Sequence, residues 1–128
     1  MLMEGSSFGR LSSDHVFPAE AEVEQRFVDL FEATDGLALV AASAQNIDRM
    51  VSLYRACKRT GRTLIIDLYA AEILRATENA SIPQSDWPHI AVYVPQYQRI
   101  QIKRGGRFDL LDPHKTNRVF VERLEDLA

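Results

Sequence analysis

Leu37-Ala-Leu-Val-Ala-Ala42, followed by Ser43-Ala-Gln-Asn-Ile-Asp-Arg49 and later by Thr63-Leu-Ile-Ile66, has the grammar strand, polar loop, helix, strand. Apolar runs without polar alternation suit strands buried on both faces of a parallel sheet whose crossover helices cover it. In such sheets, ligand sites form beyond the carboxyl ends of the strands. Ser43, Asn46, Arg49 and Asp67 fall at that edge and are the candidate ligand-binding residues. The fold expected is α/β, a three-layer, mainly parallel sheet flanked by helices with Rossmann-like topology.

Working outward, apolar residues recur at Val23, Phe27, Leu30 and Phe31 between Pro18 and Thr34, with Glu20, Glu22 and Glu24 filling the first turns. That is an amphipathic helix with an acidic first turn, ended by Gly36. Asn46 to Thr60 repeats the spacing through Ile47, Met50, Val51, Tyr54 and Cys57 and closes on Lys58, Arg59 and Gly61. A third helix is expected from Tyr69 to Thr77, a loop from Asn79 to Pro88 and a strand from Ile90 to Val94. Ile100 and Ile102, then Phe108 and Leu110, alternate with polar residues across Gly105-Gly106, which reads as a hairpin. Asp112-Pro113 reads as the start of a closing helix striped by Val119, Phe120, Leu124 and Leu127.

The 128 residues, 46% hydrophobic and 26% charged, describe one globular domain, with residues 1–17 as an N-terminal strand and linker and 18–128 as the main body. A net charge of −3 lacks the basic balance that marks a nucleic-acid binder by composition alone. Cys57 is single, so no intramolecular disulfide or cysteine metal cluster is expected. No apolar run approaches the roughly 20 residues of a membrane span, and the first residues lack a signal core. A cytoplasmic address without membrane contact is the expectation. His15, His89 and His114 are far apart, and no phosphate loop, nucleophile elbow or close histidine pair occurs.

Leu2-Met-Glu-Gly-Ser-Ser-Phe-Gly9, the acidic helix after it, Ser43 to Arg49 and Gly61-Arg-Thr-Leu-Ile-Ile-Asp67 together resemble the β-CASP nucleases of the metallo-β-lactamase superfamily, which include ribonuclease J. In that family an apolar strand ends in an acidic residue followed by small residues and a glycine. Glu4 matches the acid, and the resemblance makes it the catalytic candidate; Arg49 matches an arginine on the helix after the polar turn. The likeness spans about residues 1 to 103 and covers only the inserted cassette of those enzymes. Their two zinc ions are held by a His-x-His-x-Asp-His segment and further histidines that do not occur here. With no such ligands to activate water, the chain by itself is expected to bind no cofactor or metal and to be inactive.

Plainer readings stand beside these. Glu4 serves as an ordinary carboxylate, Asn46 and Asp48 cap the second helix, and Ser43 shapes the turn. Arg49, one turn into a helix, asks for a partner such as Asp67, a phosphate or a partner domain. Arg99, Lys103, Arg104 and Arg107, with Tyr97 and Phe108 nearby, suit a nucleic-acid backbone and its bases, or form a solvated hairpin tip. Tyr54, Tyr69 and Trp87 read as packing residues. The function expected is a stand-alone β-CASP-like domain that binds protein or RNA, most simply as a homodimer or with a lactamase-fold partner chain. The alternatives are a metal-dependent hydrolase completed by a second subunit and a truncated product of no set biochemical role.

Overall fold

The computed structural model describes residues 2–4, 19–114 and 118–119. They divide into two compact units, Met1–Arg62 and Thr63–Ala128. Mixed α/β architecture with parallel strand pairing holds in both, as the apolar runs imply.

The first unit contains β1 (Leu2–Glu4), α1 (Glu20–Ala33), β2 (Leu39–Ala41) and α2 (Ile47–Arg59). β1 and β2 pair in parallel, with Leu2 opposite Leu39 and Glu4 opposite Ala41. The core of the unit is helical. Val23, Phe27, Val28 and Phe31 of α1 are buried, as are Met50, Leu53, Tyr54, Ala56 and Cys57 of α2, and the two helices pack on each other. Their side chains pair in step: Glu20 meets Arg49 and Ser52, and Glu24 meets Arg55 and Arg59. Both helices therefore run in the same direction, as a β-α-β-α order with parallel strands requires. Glu20 in the first turn of α1 and Glu24 in the second do more than complement the dipole, because they also supply the anions for α2.

α1 is weakly closed by its own sequence. Its N-cap Ala19 offers no side-chain hydrogen bond, and no basic residue lies in its last turn. Arg62 makes up the deficit at the C-terminal end by donating to the carbonyls of Phe31 (3.1 Å), Gly36 (2.7 Å) and Thr34. A guanidinium there satisfies carbonyls that have no helical partner and meets the negative end of the dipole. Gly36 has φ +76°, the left-handed conformation that glycine adopts at no steric cost.

The second unit contains β3 (Leu64–Asp67), α3 (Leu68–Ala76), β4 (Ile90–Tyr93), α4 (Gln96–Gly105), two short 3₁₀ turns at Phe108–Leu110 and Asp112–His114, and β5 (Arg118–Val119). The strands pair in parallel in the order β3-β4-β5. Ile66 aligns with Val92, and Tyr93 with Val119. β4 is central, and Ile90, Ala91 and Val92 are all buried, as is Val94 just beyond it. Burial on both faces is thus found at β4, whereas in the run Thr63–Ile66, where it is expected, only Ile66 is buried and Leu64 and Ile65 are half-buried.

The structure corrects four expectations. The run Leu37 to Ala42 is not buried on both faces: Leu39 is 51% exposed and Ala41 is exposed as well. Among the described residues β2 pairs with β1 alone, and an edge strand rich in alanine has little apolar surface to hide. The hairpin across Gly105-Gly106 is instead the helix α4. Its residues Gln, Arg and Lys are strong helix formers, and Gly106 (φ +65°) is a left-handed helix terminator rather than a hairpin turn. The closing helix does not begin at Asp112, since a 3₁₀ turn is followed by β5 and Val119 lies in a strand; Phe120, Leu124 and Leu127 lie outside the described residues. Tyr69, read as a packing residue, is 57% exposed, whereas Tyr54 is buried and Trp87 half-buried as expected.

Candidate functional site

The turn between β2 and α2 brings Ser43, Asn46 and Arg49 together, and their polar atoms meet local partners. Ser43 Oγ accepts from the Gln45 amide at 3.3 Å, which shapes the turn, and Asn46 Oδ1 accepts from the Arg49 amide at 3.1 Å as the N-cap of α2. Asp48 is exposed in the first turn rather than capping it. The Arg49 guanidinium lies 3.4 Å from the Glu20 carboxylate of α1. Glu20 also accepts from Ser52 Oγ at 2.7 Å. Asp67, at the carboxyl end of β3, caps α3 by accepting from the Ala70 amide at 2.7 Å. Glu4 ends β1, opposite Ala41.

The face of α4 differs. Ile102 is buried and Gln98 and Arg99 are half-buried, which turns Tyr97, Ile100, Lys103 and Arg104 outward. Tyr97, Ile100 and Arg104 follow one another at helical spacing on that face. Tyr97 is 66% exposed and Ile100 42%, and Phe108, in the turn that follows the helix, is 52% exposed. Arg107 is exposed and pairs with Asp109 at 3.1 Å, leaving Lys103 and Arg104 as the pair of outward cations at the helix end. Large apolar groups held in water beside cations offer flat surfaces for stacking and charges for phosphate. Of the four basic candidates, Lys103, Arg104 and Arg107 are presented to solvent, whereas Arg99 turns inward.

The sequence reading missed one cluster. His114 is 2% exposed, and both ring nitrogens are engaged: Nδ1 lies 2.6 Å from Ser85 Oγ and Nε2 lies 2.5 Å from Glu72 Oε1. A carboxylate only accepts, so Nε2 carries the proton toward Glu72. Glu72 also receives Arg75 at 2.9 Å. The Arg75 hydrogen bonds, opposed by the cost of burial and joined by the bond from His114, hold the Glu72 carboxyl below its ordinary value. Serine, imidazole and carboxylate in a row are the components of a nucleophile and its base. Here Ser85 is 6% exposed, so its hydroxyl is closed to a substrate, and the row ties three segments together. The partners are 29 and 42 residues apart, and no local spacing signals them.

Burial pushes the Cys57 thiol up to about 11, so it is a core group rather than a nucleophile at neutral pH. Among the described residues no group of three or more His, Cys, Asp or Glu side chains could hold a metal ion, and no helix is long and apolar enough to cross a membrane. His15 lies outside the described residues. No family model, curated protein or solved structure matches the chain.

Proposed function

We propose that this chain is a β-CASP-like domain of three-layer, Rossmann-like design that binds single-stranded RNA without cleaving it. The observation that carries the reading is the α4 face, where Tyr97, Ile100 and Phe108 stay in water next to Lys103 and Arg104. Packing does not account for the exposed rings of Tyr97 and Phe108, whereas stacking on bases does. The motifs at Leu2 to Gly9 and Ser43 to Arg49 support the family resemblance. A cytoplasmic RNA is the natural ligand of such a domain.

Anisotropy titration of a labelled single-stranded RNA at about 50 mM salt tests this directly. Binding should weaken steeply as salt rises. Tyr97→Ala and Phe108→Ala should each cost about 1–3 kcal/mol of binding. Lys103→Ala should lower the salt slope by roughly one. No binding at low salt, or binding indifferent to all three changes, overturns the proposal.

Self-association is a second reading, favoured by Leu39, an apolar side chain half exposed on a short strand. Light scattering of wild type against Leu39→Lys tests it. A monomeric wild type removes it.

A further inference from the structure

We propose that the carboxyl end of β3 gives the bound RNA a base-specific subsite, in which a guanine stacks on Tyr69 and donates from its N1–H and amino group to the Asp67 carboxylate. The inference rests on the RNA reading of the α4 face and extends it to a neighbouring turn. Parallel sheets bind ligands outside the carboxyl ends of their strands. β3 ends at Asp67 and β4 at Tyr93, and these two residues are register partners, so the turns leading into α3 and α4 adjoin at that edge.

Both turns present a tyrosine to water at the same helical position. Tyr69 is the second residue of α3 and 57% exposed, and Tyr97 is the second residue of α4 and 66% exposed. Tyr97 belongs to the face already assigned to bases, which runs from there to Arg104, about 10 Å along the axis at roughly 1.5 Å per residue. The cations Lys103 and Arg104 lie at the far end of that face. Near the edge, Asp67-Leu-Tyr-Ala70 and Tyr93-Val-Pro-Gln-Tyr-Gln98 contain no cation, and Arg99 turns inward. The edge therefore suits the base of a nucleotide rather than its phosphate.

Asp67 supplies the base selection. It is exposed, and its N-cap bond from the Ala70 amide at 2.7 Å uses Oδ1, which leaves Oδ2 over from the cap. A carboxylate only accepts, and each of its oxygens has two lone pairs, so the cap and a ligand can be served together. Guanine is the base whose pairing edge offers two adjacent donors, N1–H and the exocyclic amine. Adenine and cytosine set a bare ring nitrogen beside the amine, and uracil sets its N3–H between carbonyls, so a carboxylate meets a repelling acceptor in all three.

Anisotropy titration of the full chain with labelled oligouridylates of about ten nucleotides, alike except for guanosine, adenosine or uridine at the central position, tests the subsite. The guanosine RNA should bind about tenfold more tightly than the other two. Asp67→Asn keeps the helix cap, because asparagine caps as well as aspartate does, but it replaces one carboxylate oxygen by a donor, and the guanosine RNA should lose its advantage. Tyr69→Ala should weaken binding of the guanosine RNA about tenfold, and Tyr69→Phe, which keeps the ring, should bind it as wild type does. Equal affinities for the three RNAs in wild type, a guanosine preference that survives Asp67→Asn, or binding indifferent to Tyr69→Ala overturns the subsite while the α4 reading stands. No binding of any of the three RNAs overturns both.

Discussion

The arginines of α2 and the basic residues of α4 are similar in number and opposite in circumstance. Arg49, Arg55 and Arg59 each meet an acid on α1, and Arg62, just beyond α2, reaches three carbonyls at the end of α1. On α4, Lys103 and Arg104 stand in solvent between Ile100 and Phe108. The first set builds the unit that carries it. The second set contributes little to folding, which is why it is the better place to look for a ligand. Charge of one sign on a helix is therefore uninformative until the groups facing it are known.

Substitutions can break this contrast, beginning where the effect should be largest. Arg62→Ala removes three hydrogen bonds from a charged donor, and urea denaturation should show a loss of roughly 3 kcal/mol, since bonds to charged groups contribute about 1.5–3 kcal/mol each and partial exposure reduces the total. Arg62→Lys should recover only part of that, because an ammonium cannot serve three carbonyls as the planar fork does. Asn46→Ala and Asp67→Ala, each deleting an N-cap, should cost about 1 kcal/mol apiece in the same assay. Glu24→Gln weakens the pairs with Arg55 and Arg59 near the surface and should cost about 0.5 kcal/mol, an effect that salt reduces. Lys103→Ala with Arg104→Ala should leave stability within about 0.5 kcal/mol of wild type while impairing RNA binding. A stability loss there as large as that of Arg62→Ala would erase the distinction between the two regions.

Sequence made the stretch from Leu37 to Leu74 legible because its signals are local. Asn46 stands where an N-cap belongs, Lys58 and Arg59 stand in a last turn, and the apolar spacing of α2 runs from Ile47 to Cys57, whereas the cap role of Asp67 was not read from its position. α4 was misread because Ile100 and Ile102 alternate over too few residues to separate a period of two from one of 3.6, and because Gly106 suits a hairpin and a helix end alike. The burial of β2 was misjudged because an apolar run reports composition, whereas burial depends on what lies on either side. The row at His114 and the reach of Arg62 were invisible for a shared reason, since their partners lie 26 to 42 residues away. Of the candidate site, the types and positions of the basic and aromatic residues could be read in advance. Which of them face water could not, because that follows from Ile102 being buried.

The dependence of α1 on Arg62 bears on the order in which the chain can be made. A helix of 14 residues with no side-chain cap at its start and no cation at its end is marginal in water. Its closing donor lies 31 residues beyond Phe31 and 26 beyond Gly36, after the whole of α2. α1 is therefore synthesised before the residue that secures it, and a chain ending before residue 62 lacks the donor that closes the helix carrying Val23, Phe27, Val28 and Phe31. The closing of α1 thus depends on a residue beyond α2, which ties the two helices into one folding unit.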